Sequence, residues 1–470
     1  MGGNFKRRSR RVLERPNFDA MSSPSIILIV SVYYIVFSYN YINIISKDYM
    51  YMGFIYRGVN LYEHLANIFF ICLPILFLPR KFTAPSDVLF HLIYIVVYIP
   101  SVVIISFVQG RYNFDSAFFV LNIFVSFYLM FAISRLRIPK PKIRLPTVRA
   151  SLAGLCIIAA GGVVILILQM GVASSLPDFR NVYGQRAVYM EAYAQSPILP
   201  WIVGLTTQVT APLILAYGFS KKNIIYISFG LFVQLYIFSI TGLKQSIISI
   251  AYILTLYLAV NYFKTKILFV FLVGTIFSFV FGIILDYALG YDFFNGFFNR
   301  RTFMLQGLLT EIYFQFAESR GYFWWSHSVL SVFSPGTAIQ SPEMLIGRLY
   351  FYDHTHANAS IWADGYMNGG LVGLYIVCGI TGLFLALINS ASMQSDPKIV
   401  ASGLGMLFML ICSTGITKVI GTHGGLLAIL ILAVANLSTK GSRQTVSDRR
   451  DASNSAPNST SERRLIPANG

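Results

Sequence analysis

The run Ile267-Leu268-Phe269-Val270-Phe271-Leu272-Val273-Gly274-Thr275-Ile276-Phe277-Ser278-Phe279-Val280-Phe281-Gly282-Ile283-Ile284-Leu285 is uncharged from end to end, and Asp286 closes it. A helix needs about 20 apolar residues to cross the hydrocarbon of a bilayer, and backbone in lipid must be helical or part of a closed barrel. This stretch therefore reads as a membrane-spanning helix over 267–289. Working outward, comparable runs lie near 24–44, 63–79, 88–108, 116–134, 150–170, 198–219, 224–241, 246–263, 366–389, 399–416 and 421–437. The expected fold class is all-α: a polytopic membrane protein of about 12 transmembrane helices with one long structured extracytoplasmic loop at 290–365. The break between 241 and 246 is short, which leaves the division of that pair open, and Pro200 and Pro212 predict a bent span.

Composition agrees. Of 470 residues, 56% are hydrophobic and only 12% are charged, against about 25% charged in an ordinary soluble domain. The net charge of +17 is distributed for orientation and not for nucleic acid. With the N-terminus inside, Arg80, Lys81, the run from Arg135 to Arg149, Lys221, Lys222, Lys264, Lys266, Lys398 and the C-terminal arginines all fall on the cytoplasmic side, as the positive-inside rule requires. No nucleic-acid partner is expected. The hydrophobic run after Lys6-Arg7-Arg8 is too long for a signal peptide and reads as a first anchor. Three regions follow: a basic cytoplasmic segment 1–23, a transmembrane domain 24–437, and a tail 438–470 too polar to fold. Cys72, Cys156, Cys378 and Cys412 all sit in apolar runs without a CxxC pair, so neither zinc nor a disulfide framework is implied.

Chemistry belongs in the loops. The 171–197 loop contains Asn181-Val182-Tyr183-Gly184-Gln185-Arg186, and the 290–365 loop is the longest hydrophilic interruption. Within the latter, Leu305, Leu309, Ile312, Tyr313 and Phe316 recur at helical spacing, the pattern of an amphipathic helix on a membrane surface. Tyr322, Phe323, Trp324 and Trp325 suit an interfacial belt, or stacking on sugar rings. Basic residues outside run against the positive-inside rule, and Arg186, Lys244, Arg300, Arg301 and Arg348 stand out among them. Together they would clamp a phosphate or diphosphate; singly, each could equally snorkel or pair with a carboxylate.

The densest polar cluster runs from Tyr350 to Gly370, where the long loop re-enters the membrane. Asp353, His354 and His356 lack the spacing and company of a metal site, so no metal and no cofactor is expected. Asp364 and Asn368 share a face if the segment is helical, and a carboxylate at the mouth of a span serves as a base, an anchor or a helix cap.

Four features in order resemble the bacterial oligosaccharide repeat unit polymerases, the O-antigen polymerase (Wzy-type) family. They are Val182-Tyr183-Gly184-Gln185-Arg186, Thr241-Gly242-Leu243-Lys244, Arg300-Arg301-Thr302-Phe303, and Ile346-Gly347-Arg348-Leu349-Tyr350 leading to Asn358, Asp364 and Gly369. The related O-antigen ligases share this plan. Gly369-Gly370-Leu371-Val372 fits the end of the ligase pattern, but Asn358 stands at its histidine position, which favours a polymerase. The resemblance implies metal-independent, inverting glycosyl transfer at the outer face of a bacterial inner membrane. Its substrates would be undecaprenyl-diphosphate-linked glycans, and its partners a chain-length regulator and a flippase. It also implies roles: His356 and Asp364 catalytic, Arg186, Lys244, Arg300, Arg301 and Arg348 on the diphosphate, Asn358 and Tyr350 on sugar. A ligase and a flippase of lipid-linked oligosaccharide are the alternatives.

Overall fold

The computed structural model describes residues 24–139, 145–172, 182–196, 198–328, 331–332, 340–352 and 355–438. The expectations for residues 1–23, for the tail beyond 438, and for Asn181, Asp353 and His354 lie outside the described residues.

Among the described residues the chain is helical without strands, and nine helices are long and apolar enough to cross a membrane. In chain order the elements are α1 (Pro24–Asp48), α2 (Leu61–Leu76), α3 (Ser86–Gln109), α4 (Phe114–Ser134), α5 (Val148–Met170), α6 (Val182–Gln195), α7 (Leu199–Lys221), α8 (Ile224–Thr241), α9 (Lys244–Tyr262) and α10 (Ile267–Leu289). Then come α11 (Leu305–Arg320), α12 (Pro342–Tyr350), α13 (Ile361–Ala391), α14 (Pro397–Gly403), α15 (Gly405–Ile411), α16 (Ile416–Ile420) and α17 (Gly425–Val434). Nine of the expected spans therefore correspond to long helices, of which α13 is broken near its start, at Gly369 and Gly370. The runs near 63–79, 399–416 and 421–437 form shorter pieces instead, broken at Leu73–Leu76, at Leu404 and at Gly424.

The helix α3 is buried along its whole length and forms the centre of the bundle. Polar side chains inside are matched across helices, because an unpaired polar group away from water costs several kcal/mol. Asn67 on α2 donates to Ser106 Oγ (2.7 Å) and accepts from Tyr112 Oη (2.7 Å). Four stretches widen into π-turns: Tyr41–Ile45, Tyr94–Tyr98, Thr206–Thr210 and Asn295–Met304.

The helix α11 does not lie on the surface of the bundle. Gln306 through Phe314 are all buried. Gly307 makes this possible: a Cβ there would come within 2.5 Å of the Pro100 carbonyl oxygen, so only glycine lets the two helices approach. The polar residues of α11 then find partners in α3, Thr310 with Ser101 (3.1 Å) and Glu311 with Gln109 (2.9 Å).

Loop contacts sort onto two faces. On one, the Phe82 amide donates to the Lys264 carbonyl (2.9 Å), Arg135 pairs with Asp87 (2.6 Å), Lys398 donates to Asn261 (2.6 Å) and the Asp396 amide donates to the Leu437 carbonyl (3.2 Å). This face is basic, and it carries the beginning of α1 and the end of the described chain. On the other, the Arg57 amide meets the Phe107 carbonyl (3.0 Å), the Ala357 amide meets the Glu343 carbonyl (2.9 Å), and Lys418 pairs with Glu343. We expect single cysteines at Lys266 and Arg348, on a background lacking the native thiols, to react with an impermeant maleimide from opposite sides of the membrane. Labelling of both from one side would contradict this assignment of faces.

Candidate functional site

On the second face a cavity of about 550 Å³ lies between α7, α11, α12, the start of α13, and α16. Trp201, Tyr313, His327, Glu343, Asn358, Asp364 and Lys418 line it, with hydroxyls from Ser328, Ser341, Thr414, Thr417 and Thr422.

Its geometry begins at the N-terminus of α13. Ser360 caps the helix, its Oγ accepting from the Ala363 amide, and Asp364 sits in the first turn, where the helix dipole favours a negative charge. Four residues on, the Asn368 amide donates to the Asp364 carbonyl (2.9 Å) and carboxylate (3.3 Å). The face shared by Asp364 and Asn368 is thus present.

Directly after Asn368 the helix breaks at Gly369 and Gly370 (φ 57°, ψ −140°). The reversal is sharp enough that Gly365 packs against Gly373 and Leu374, and a Cβ on Gly365 would lie 2.9 Å from the Leu374 Cα. The Tyr322–Ser328 turn is fastened to this break. The Phe323 amide donates to the Met367 carbonyl (3.0 Å), the Trp324 amide to the Asn368 carbonyl (2.8 Å), and the Trp325 amide to Asn368 Oδ1 (3.0 Å). Trp324 and Trp325 both have left-handed backbone (φ 51° and 55°), which costs a bulky residue roughly 1–2 kcal/mol. The three hydrogen bonds to one break hold that conformation, and it delivers His327 and Ser328 to the cavity.

The opposite wall is equally close. A Cβ on Gly415 would lie 2.6 Å from Asp364 Oδ2, so glycine is needed there for space, not for its backbone. Burial works against ionisation of Glu343, but Lys418 overcomes it and holds the carboxyl below its ordinary value. For His327, burial pushes the imidazole below its ordinary value; the Glu343 charge opposes this, and Lys418 adds a smaller downward push. Burial thus favours the neutral imidazole of His327.

Of the residues singled out in the sequence, Asn358 and Asp364 line the cavity. His356 is exposed on the strap between Thr355 and Ala357 and does not line it. Arg348 and Tyr350 are exposed on the last turn of α12, the helix that contributes Glu343 from its first turn. Arg186 and Lys244, both exposed, are drawn to one locality because α6 packs on the α8–α9 break. A Cβ on Gly242 would lie 2.5 Å from the Val182 carbonyl oxygen and 3.0 Å from the Arg186 amide.

Arg300 is buried in a separate cluster. Its guanidinium lies 4.1 Å from the centre of the Tyr49 ring, and Nε donates to the Gly296 carbonyl (3.0 Å). Asp292 in the same cluster is pushed up to about 6 by burial, with Asp286 adding to the effect. Arg301 is exposed beside the Phe297 ring. The structure does not bring the five nominated cations into one pocket, and among the described residues the Lys or Arg that lines the cavity is Lys418. Nothing in the sequence around Lys418 marks it for that position. Glu343, His327 and Trp201 lie in stretches without a motif, and only tertiary contact joins them. Among the described residues no group of three or more His, Cys, Asp or Glu side chains lies together as a metal site would require.

No family model matches the chain, and neither the curated proteins nor the solved structures give a match.

Two outcomes follow. Gly415→Ala should cost about 1–3 kcal/mol through overpacking, and Asp364→Ala should relieve much of that loss. Strictly additive changes in thermal unfolding would refute the contact. For Glu343, a folded-state pKa below the ordinary 4.5 means the ion pair contributes fully above pH 4.5 and is lost as pH falls through the lowered value. The stability difference between wild type and Glu343→Gln should therefore be largest near neutrality and vanish in acid. A difference that persists at low pH would contradict the pairing.

Proposed function

We propose that this chain is a membrane glycosyltransferase that joins oligosaccharide repeat units carried on undecaprenyl diphosphate, building a surface polysaccharide. The observation that carries the reading is the cavity on the face opposite the basic one, with an indole, an amide, several hydroxyls and two carboxylates around about 550 Å³. A pyranose presents hydroxyls at its edge and an apolar C–H face, and this lining offers a partner for each.

Two carboxylates against one ammonium make the cavity suited to sugar and unsuited to diphosphate. In this reading the cavity receives the acceptor glycan, and the lipid diphosphate is held outside it by Arg186 and Lys244 at the α6–α9 junction. An acceptor hydroxyl attacks the anomeric carbon of the donor. The new glycosidic C–O bond forms as the bond from that carbon to the diphosphate oxygen breaks, with inversion. The hydroxyl proton passes to Asp364, which Asn368 positions. The electron pair leaves on the diphosphate, whose charge the two cations offset.

The positive-inside rule assigns the basic face and both chain ends to the cytoplasm, and so the cavity to the outer face of a bacterial inner membrane. A flippase supplying the repeat unit and a chain-length regulator are the partners such a reaction requires.

The test is reconstitution in proteoliposomes with a lipid-linked repeat unit. A ladder of longer lipid-linked glycans supports the reading, whereas an unchanged lipid moved across the bilayer would identify a flippase. Asp364→Asn should slow extension by about 10²-fold or more, the scale of a lost general base, and Arg186→Ala should abolish it, both with unfolding temperatures near wild type. Ladders of wild-type length from both variants would overturn the mechanism.

A further inference from the structure

A second cavity, of about 480 Å³, opens on the basic face, where the start of α1, the end of α2 and the start of α10 meet. We infer that it is a binding site for an anionic phospholipid of the surrounding bilayer, with the lipid phosphate between Arg80, Lys81 and Lys266.

Its walls divide in the way such a lipid does. Ile75, Leu78 and Leu268 form a buried apolar floor, and Phe269 continues that floor while being 42% exposed on the outside of the bundle. An exposed phenylalanine in the first turn of a membrane helix faces lipid, so the apolar part of the cavity reaches the acyl chains sideways. At the other end the three cations stand at the rim with Ser25 and Thr265, and among the described residues no carboxylate lines the cavity.

The arrangement is built. The Phe82 amide bonds to the Lys264 carbonyl (2.9 Å), tying the segment that carries Arg80 and Lys81 to the segment that carries Lys266. Asp87, on the same face, is occupied: its carboxylate pairs with Arg135 (2.6 Å) and accepts the Thr83 and Ala84 amides (2.6 and 2.9 Å). That carboxylate is therefore engaged by Arg135 and the two amides, and Lys81 and Lys266 leave the rim cationic. An inorganic phosphate would answer the charge and leave the apolar floor wet. A zwitterionic lipid would fill the floor but bring its own cation to a cationic rim. An anionic headgroup on an acyl chain satisfies both.

The test uses the full chain in a nonionic detergent, titrated with phosphatidylglycerol, phosphatidylcholine or inorganic phosphate, with the unfolding temperature as the signal. Phosphatidylglycerol should give a saturable rise that the other two do not. Juxtamembrane cations contribute on the scale of a fivefold change in affinity each, so Lys81→Gln with Lys266→Gln should weaken the apparent Kd by about 25-fold. The unfolding temperature without lipid should stay near wild type. Thr265→Trp, which narrows the mouth and leaves every charge in place, should weaken binding as well. Equal responses to both lipids, a full response to phosphate alone, or wild-type affinity in both variants would each overturn the assignment.

Discussion

At the break in α13, Gly365 and Gly373 face each other without side chains, and the rest of the site around Asp364 depends on that contact. Because the chain can reverse there, Ile361–Asn368 stands as a separate short helix against the membrane-spanning part of α13. Its first turn carries Asp364, its last residue carries the amide that fastens the tryptophan turn, and its flank touches Gly415. A side chain at either glycine would push the short helix away and separate all three. One steric constraint therefore sets the positions of residues from four distant parts of the sequence.

The charges follow a comparable division. On one face cations pair with Asp87 or Asn261 or surround the second cavity, while at the first cavity Glu343 and Asp364 are held within the protein. Lys418 lies beside these carboxylates, and its ion pair with Glu343 keeps a positive charge inside a wall that would otherwise be acidic. Arg300 is engaged differently, against an aromatic ring and a backbone carbonyl, so its charge holds the Asn295–Met304 turn in place.

The helical membrane architecture was legible because its cause is local: twenty apolar residues in a row admit few alternatives. The interruptions were not legible in the same way. Leu404 and Gly424 break apolar runs through packing that hydrophobicity does not record. The burial of α11 depends on Gly307 meeting Pro100, a relation between residues two hundred positions apart. In the site, Asp364 and Asn368 were readable from helical spacing, and Asn358 from its place at the membrane entrance. His327 and Glu343 were not, since each reaches the cavity through a fold that no short pattern encodes. The expected gathering of arginines failed to appear for a related reason. Scarcity on one side of a membrane says that a cation has a role, but it does not say where its side chain is used.

The π-turn at Thr206–Thr210 has a consequence for how α7 tolerates change. A wide turn holds one residue more than an α-turn, so the helix on either side is offset in phase by that residue. The outer half presents Trp201 to the cavity, and the inner half packs Ala211–Gly218 into the bundle. Loss of a single residue there would leave a continuous, well-bonded helix, yet would swing one half by about 100° relative to the other. The indole would then face away from the cavity it lines. Length in this segment is a matter of angular phase, which a residue-by-residue substitution scan would never sample.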